Sequence, residues 1–128
     1  MNHKTLVRYL YSNTYKIERH LQPLLKEFSL GHGRIDIICR DINGTLCLIE
    51  VKVHDSELSL GERQVKTYQQ QLLKFLSLIG IELSIRALVV TPNKVSDVGT
   101  KKSTPTLAIS IPTEIPTSRE LFGFREVK

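Results

Sequence analysis

Apolar and polar positions along this chain change period several times, and each change marks an element. Leu6, Leu10, Ile17 and Leu21 recur at roughly helical spacing and predict a helix over 3–21. Polar Ser12-Asn13-Thr14 interrupts that pattern, and Pro23 limits its continuation. PLLKEFSLG (23–31) reads as a first strand. RIDIICR (34–40) and TLCLIEVKV (45–53) are rich in apolar and β-branched residues and predict two more, joined by turn chemistry in Asp41-Ile42-Asn43-Gly44. A helix follows, with Ser59 and Glu62 as a capping box, an apolar stripe of Val65, Tyr68, Leu72, Phe75, Leu76 and Ile79, and Gly80 as its stop. SIRALVVT (84–91) predicts a buried strand ended by Pro92, residues 93–105 a polar loop, TLAISIP (106–112) a last strand, and 113–128 a loosely ordered tail. The order helix, three strands, helix, strand, strand predicts a mixed α/β fold: one central β-sheet flanked by helices, in a single domain over 1–128.

The second and third strands carry charge where a buried strand should not. Glu50 and Lys52 lie two residues apart inside CLIEVKV, which puts them on one face. Burying charge is costly unless something compensates it. Where they point depends on the hairpin. A two-residue Asn43-Gly44 turn sends Asp36 and Glu50 to opposite sides of the sheet. A three-residue loop, Ile42-Asn43-Gly44 with Gly44 left-handed, pairs Asp41 with Thr45 and sets Asp36 opposite Glu50. The second register sorts the residues more cleanly. Ile35, Ile37, Cys39, Cys47, Ile49, Val51 and Val53 then make one wholly apolar face, and Ile38 and Leu48 share the other with Asp36, Glu50, Arg34 and Lys52. Pattern fixes register, so the three-residue loop is expected. The facing carboxylates are a like-charge pair. A shared proton, ion pairs to Arg34 and Lys52, or a divalent cation can relieve it. Carboxylate oxygens suit magnesium or manganese.

Composition adds a little. The formal net charge of +5, from 18 basic and 13 acidic side chains, suits a polyanionic partner. No apolar run is long enough to span a membrane, and MNHKTLVRYLYSNTYK lacks the apolar segment and cleavage site of a signal peptide. The expectation is an intracellular, cytoplasmic protein without a membrane role. Cys39 and Cys47 fit no zinc spacing and read as small buried hydrophobes facing each other, with a reduced pair expected and a cross-strand disulfide as the alternative.

The arrangement G-R-I-D, thirteen residues, E-V-K resembles the PD-(D/E)XK nuclease superfamily, with Gly33-Arg34-Ile35-Asp36 as the first half and Glu50-Val51-Lys52 as the second. Ile35 replaces the proline of the name, which does no chemistry. The resemblance spans about residues 15–91. Gln64-Val65-Lys66-Thr67-Tyr68 is similar to the Q-x-x-x-Y motif of RecB-like nucleases and phage-type exonucleases. Gln64 and Tyr68 share a helix face, although Tyr68 also continues the apolar stripe.

The resemblance implies a restriction-endonuclease-like αβββαβ core and a metal-dependent DNA nuclease. Asp36, Glu50 and the backbone carbonyl of Val51 hold Mg2+ or Mn2+, Lys52 holds the attacking water, and Gln64 and Tyr68 assist. The superfamily often adds an acid from the first helix, and Glu18 is the best candidate; Glu27 is a second possibility, and the histidine of the RecB-like branch is poorly matched in spacing by His20. Arg34, His32 and Lys66 are candidate DNA contacts, with Lys74, Lys94, Lys101 and Lys102 as further phosphate partners. Q-x-x-x-Y favours exonuclease or single-strand-end cleavage. A homodimeric Holliday-junction-resolving endonuclease and a non-catalytic nucleic-acid-binding module are the alternatives.

Overall fold

A computed structural model describes residues 1–31 and 33–105. The expected strand at 106–112, the tail at 113–128 and His32 lie outside the described residues. Within them the order is α1 (His3–Ser12), β1 (Gln22–Leu30), β2 (Gly33–Arg40), β3 (Leu46–Val51), α2 (Leu58–Leu78), β4 (Ser84–Val90) and β5 (Val95–Lys102). The strands form one sheet in the order β1-β2-β3-β4-β5, antiparallel except for β3 and β4, which run parallel across the α2 crossover. The expected mixed α/β architecture, with its αβββαβ core, is therefore present. No helix among the described residues is long and apolar enough to cross a membrane.

Each helix covers one face of the sheet. Leu6, Val7 and Leu10 of α1 pack with Ile37, Cys39, Cys47, Ile49, Val51, Leu88 and Val90. Val65 and Leu76 of α2 pack with Ile35, Ile38, Leu48, Ile85, Ala87 and Val89 on the other side. The central strands β3 and β4 are buried on both faces, which is why they read as nearly continuous apolar runs. Cys39 and Cys47 face each other as free, buried thiols, pushed up to about 12 and about 11 by desolvation. At those values they are unreactive packing residues.

Several boundaries differ from expectation. The first helix stops at Ser12 rather than running to residue 21; a 3-10 turn over Thr14–Lys16 follows. Polar side chains there bond to backbone instead of continuing the helix. Asn13 donates to the Tyr9 carbonyl, and the Thr14 hydroxyl donates to the Leu21 carbonyl at 2.7 Å. Ser59 is not a cap: α2 begins at Leu58 off a 3-10 turn over Asp55–Glu57, and Glu62 instead accepts from the Ser96 hydroxyl. Phe75 and Ile79 are about half exposed, because the buried line along α2 runs through Val65, Gln69 and Leu76. Gly80 does end the helix, with φ +77° and the paired bonds of a Schellman motif, Gly80 N–H to Ser77 and Ile81 N–H to Leu76. The expected loop at 93–105 is largely strand β5, at the edge of the sheet among the described residues, whose polar side chains hid it.

Gln69 joins three elements. It is 2% exposed, and its side-chain amide donates to the carbonyls of Ile85 (2.9 Å) and Gly99 (3.1 Å), tying α2 to β4 and β5. Gln69→Leu keeps the volume and removes both donors. Chemical denaturation is expected to show a loss of about 1–3 kcal/mol; a variant as stable as wild type would mean the two carbonyls find other partners.

Candidate functional site

The hairpin register is the expected one. Ile37 pairs with Ile49, Ile38 with Leu48 and Cys39 with Cys47. Asp41 and Thr45 close the loop, where Gly44 has φ +79°. The ladder stops at Ile37 and Ile49, and the strands part just before Asp36 and Glu50. Continued two residues, the same register sets Val51 opposite Ile35 in a rung that exchanges backbone bonds. Instead the Val51 N–H donates to Asp36 Oδ2 at 2.8 Å. A side-chain carboxylate has taken the place of a backbone carbonyl. The local twist turns Ile35 into the α2-side cluster, so it does not lie on the Ile37 face as alternation predicts. Across from this point on β1, Glu27 sits between Lys26 and Phe28 with φ +55°, a second departure from strand geometry beside the same rung.

Asp36 is 4% exposed and Glu50 6%. Asp36 Oδ2 has a second partner in His3 Nε2, at 3.1 Å from the start of α1. Nε2 is the donor in that bond in the tautomer that places its proton there. Glu50 Oε2 lies 3.6 Å from Lys52 Nζ, whose side chain is 14% exposed. Glu50 Oε1 is buried with no hydrogen-bond partner. Burial first, then the negative Asp36 beside it, pushes the Glu50 carboxyl up to about 8, against the pull of Lys52. In the protein alone the pair is thus relieved in part by a proton.

Lys52 is held from both sides. Its N–H donates to the Val90 carbonyl at 2.8 Å, and α2 approaches its stem at Gly61. A Cβ on Gly61 would lie 2.7 Å from Val89 Cγ1 and 3.2 Å from Lys52 Cγ, so only glycine lets the helix come this close. One turn on, Gln64 is partly buried and its Oε1 has no partner. A second turn on, Tyr68 lies against Gly33, where an added Cβ would be 2.6 Å from its hydroxyl oxygen. Both motif residues therefore sit on the sheet side of α2.

Glu18 is not brought to this group. Its carboxylate grips the Arg86 guanidinium at 2.6 and 2.7 Å, and Arg86 also binds Asp97 at 2.9 Å. Arg86 stands beside Cys47, about 10 Å along the sheet from Glu50 at roughly 3.3 Å per residue. The neighbouring carboxylates raise the Arg86 pKa further, Glu18 foremost, so this cluster is a structural ion-pair network. The residue that α1 does bring is His3, and no spacing rule pointed to it. Only the packing of α1 across the hairpin does. Arg34 and Lys66 are exposed. Among the described residues no group of three or more His, Cys, Asp or Glu side chains converges as a metal cluster. The candidate ligand set is two carboxylates plus backbone.

Comparison with known proteins gives this geometry a context. Residues 3–98 match the endonuclease NucS C-terminal domain. Endonuclease NucS of Thermococcus kodakarensis is 33% identical over 63 residues, which are 49% of this chain and 25% of that protein. A solved complex of EndoMS with double-stranded DNA superposes with a TM-score of 0.56 at 26% identity, over 68% of this chain and 34% of that one. A repair endonuclease from Pyrococcus abyssi shares the fold with a TM-score of 0.58 at 23% identity, over 72% of this chain and 38% of that one. The chain thus spans between a quarter and two fifths of the length of these relatives. The matched span runs from the first turn of α1, through the Asp36–Glu50 hairpin and α2, into β5. The chain belongs to the endonuclease NucS C-terminal domain family.

Proposed function

We propose that this chain is a divalent-metal-dependent DNA endonuclease, with Asp36, Glu50 and the Val51 carbonyl holding magnesium or manganese. The observation that carries the reading is Glu50 Oε1: a carboxylate oxygen buried beside a second carboxylate with no donor to satisfy it. A hard cation is the group such an oxygen fits. The backbone supports the same choice. N–H and C=O of one strand residue point the same way, so the Val51 carbonyl faces the gap where its N–H meets Asp36. A bound ion would polarise a phosphate and lower the pKa of a water.

The protein groups have separate tasks in this reading. Val51 N–H and His3 both bond Asp36 Oδ2, which fixes the carboxylate and leaves Oδ1 for the ion. Lys52, fenced by Gly61 and Val89, offsets charge that builds on the phosphate. Gln64 Oε1 offers an acceptor to a water. Arg34 and Lys66, both exposed, contact the DNA backbone. The named relatives are endonucleases, so cutting within a strand is preferred to the exonuclease reading of Q-x-x-x-Y. A homodimeric junction-resolving enzyme is the second reading. It is favoured by Leu24, Leu25 and Phe28, which are 38–48% exposed on edge strand β1 among the described residues.

Cleavage of closed circular, linear, single-stranded and four-way DNA with magnesium tests the assignment. Wild type is expected to cut circular DNA, and Asp36→Ala and Lys52→Ala to lose at least 100-fold in rate. Equal activity in all three proteins sinks the nuclease reading. Activity confined to ends restores the exonuclease, and a dimer by light scattering with a preference for four-way DNA supports the resolvase.

His3→Ala is expected to weaken metal binding about 10-fold by calorimetry, as removal of an orienting partner does. His3→Gln, which keeps a side-chain donor, is expected to recover most of it. Equal binding by His3→Ala would show that Val51 alone positions Asp36.

Without metal, Glu50 makes stability depend on pH. Below about 4.5 it is neutral both folded and unfolded; between about 4.5 and 8 the unfolded chain releases the proton while the fold keeps it. The folded state then binds more protons, so this group's contribution to stability falls as pH rises and levels off above about 8. In chelator, Glu50→Gln is expected to be more stable than wild type by about 1–3 kcal/mol at pH 8, a margin that closes towards pH 4.5. Magnesium or manganese is expected to raise the melting temperature of wild type and not of Glu50→Gln. A pH-independent difference would contradict the buried, uncompensated carboxylate.

A further inference from the structure

The end of α2 leaves apolar surface uncovered by the other described residues. Phe75, Leu78 and Ile79 are spaced three and four apart, so they share one face of the helix. Ile81 follows on the turn that stops it. All four are 44–59% exposed. Scattered exposed leucines are ordinary, but large apolar side chains gathered over residues 75–81 mark a surface built to be covered.

The path of the chain after β5 points to what covers it. Ser103 pairs one residue beyond the strand: its N–H donates to the Leu83 carbonyl at 3.0 Å. The buried Ser103 hydroxyl accepts from the Leu83 N–H at 2.8 Å and donates to the Ile81 carbonyl at 2.6 Å. Thr104 N–H then donates to Ser77 Oγ at 3.1 Å, on the last turn of α2 between Phe75 and Leu78. A hairpin back onto β5 needs the chain to leave on the side away from β4. These bonds take it the other way, onto the end of α2.

The residues that follow suit that surface. TLAISIP, 106–112, carries Leu107, Ile109 and Ile111 at alternate positions, which an extended segment presents on one side. No charged residue occurs from 103 to 113. Extended chain covers about 3.3 Å per residue, whereas Phe75 to Ile79 spans only about 6 Å of helix. A segment that starts beside Ser77 therefore reaches the whole patch. We propose that residues 106–112 of this chain dock across the end of α2, with Leu107, Ile109 and Ile111 laid on Phe75, Leu78, Ile79 and Ile81. The docking closes the α2-side core at the end of the helix where the described chain leaves it open, and it is independent of the nuclease reading.

Disulfide trapping in the full chain tests this. Leu78→Cys is paired in turn with Leu107→Cys, Ile109→Cys or Ile111→Cys, and with Thr106→Cys, Ala108→Cys or Ser110→Cys as controls, then oxidised at low protein concentration. Cys39 and Cys47 are buried and unreactive and stay in place. Bridges within one chain are expected to form about 5-fold faster in the first set than in the controls. Equal rates in both sets overturn the inference. Bridges found only between two chains on a non-reducing gel overturn it too, and assign the patch to a second copy. Hydrogen exchange read by mass spectrometry gives an independent measure. Amides of 106–112 are expected to exchange about 10-fold more slowly in wild type than in Leu78→Asp. Leu78 is 59% exposed, so that substitution is otherwise close to neutral for the fold. Identical exchange in the two proteins overturns the docking. Neither readout uses DNA or metal, so failure of the docking and failure of the nuclease reading are separate results.

Discussion

The hydrogen bond from the Val51 amide to the Asp36 carboxylate is the interaction on which the candidate site depends. It ends the β2–β3 ladder one rung early. A buried amide has to be satisfied, and here a charged side chain does so in place of a carbonyl. The consequences spread outward. The strands part, Ile35 swings into the α2-side core, and Asp36 is left beside Glu50 at the sheet's opening end. A carboxylate that accepts a backbone N–H is fixed in direction, which a metal ligand needs and a surface aspartate lacks. The arrangement is costly for the protein alone, since Glu50 is desolvated beside a like charge and holds its proton to about 8. Buried groups in conflict of this kind cluster at functional sites.

Around that gap the fold supplies rigidity from elements with no chemistry of their own. The β3–β4 pair is buried on both faces, so Glu50 and Lys52 project from the stiffest part of the sheet. Gly61 lets α2 close on the stem of Lys52, and Gly33 makes room for Tyr68. At the far end of β3, Arg86 gathers Glu18, Asp97 and, more loosely, Asp41 at 3.7 Å into a network that ties the segment after α1 to the sheet. Its partial exposure means screening weakens each pair. The packing of Leu6, Val7 and Leu10 of α1 against the sheet is what brings His3 to Asp36.

Membership of the endonuclease NucS C-terminal domain family fits this division of labour. The matched span contains both helices, the hairpin and the parallel pair, which together build the gap. A chain that spans only a quarter to two fifths of its relatives' length still carries every element that shapes the proposed site.

The sequence by itself determined what depends on near neighbours and on period. Alternation fixed the hairpin register and hence the approach of Asp36 to Glu50, because a one-residue slip would have mixed charges into both faces. The helical stripe and Gly80 located α2 and its end. The sequence also named Asp36, Glu50 and Lys52, since an acid and a lysine inside an apolar strand break the local rule. Tertiary structure decided the rest. Polar β5 became a strand only because β4 offered it an edge to pair with. Glu18 went to Arg86 because the chain after Asn13 abandons the helix, and His3 reached Asp36 because α1 crosses the hairpin at its first turn. Those choices turn on distances between segments 33 and 68 residues apart, and one-dimensional spacing carries no record of them.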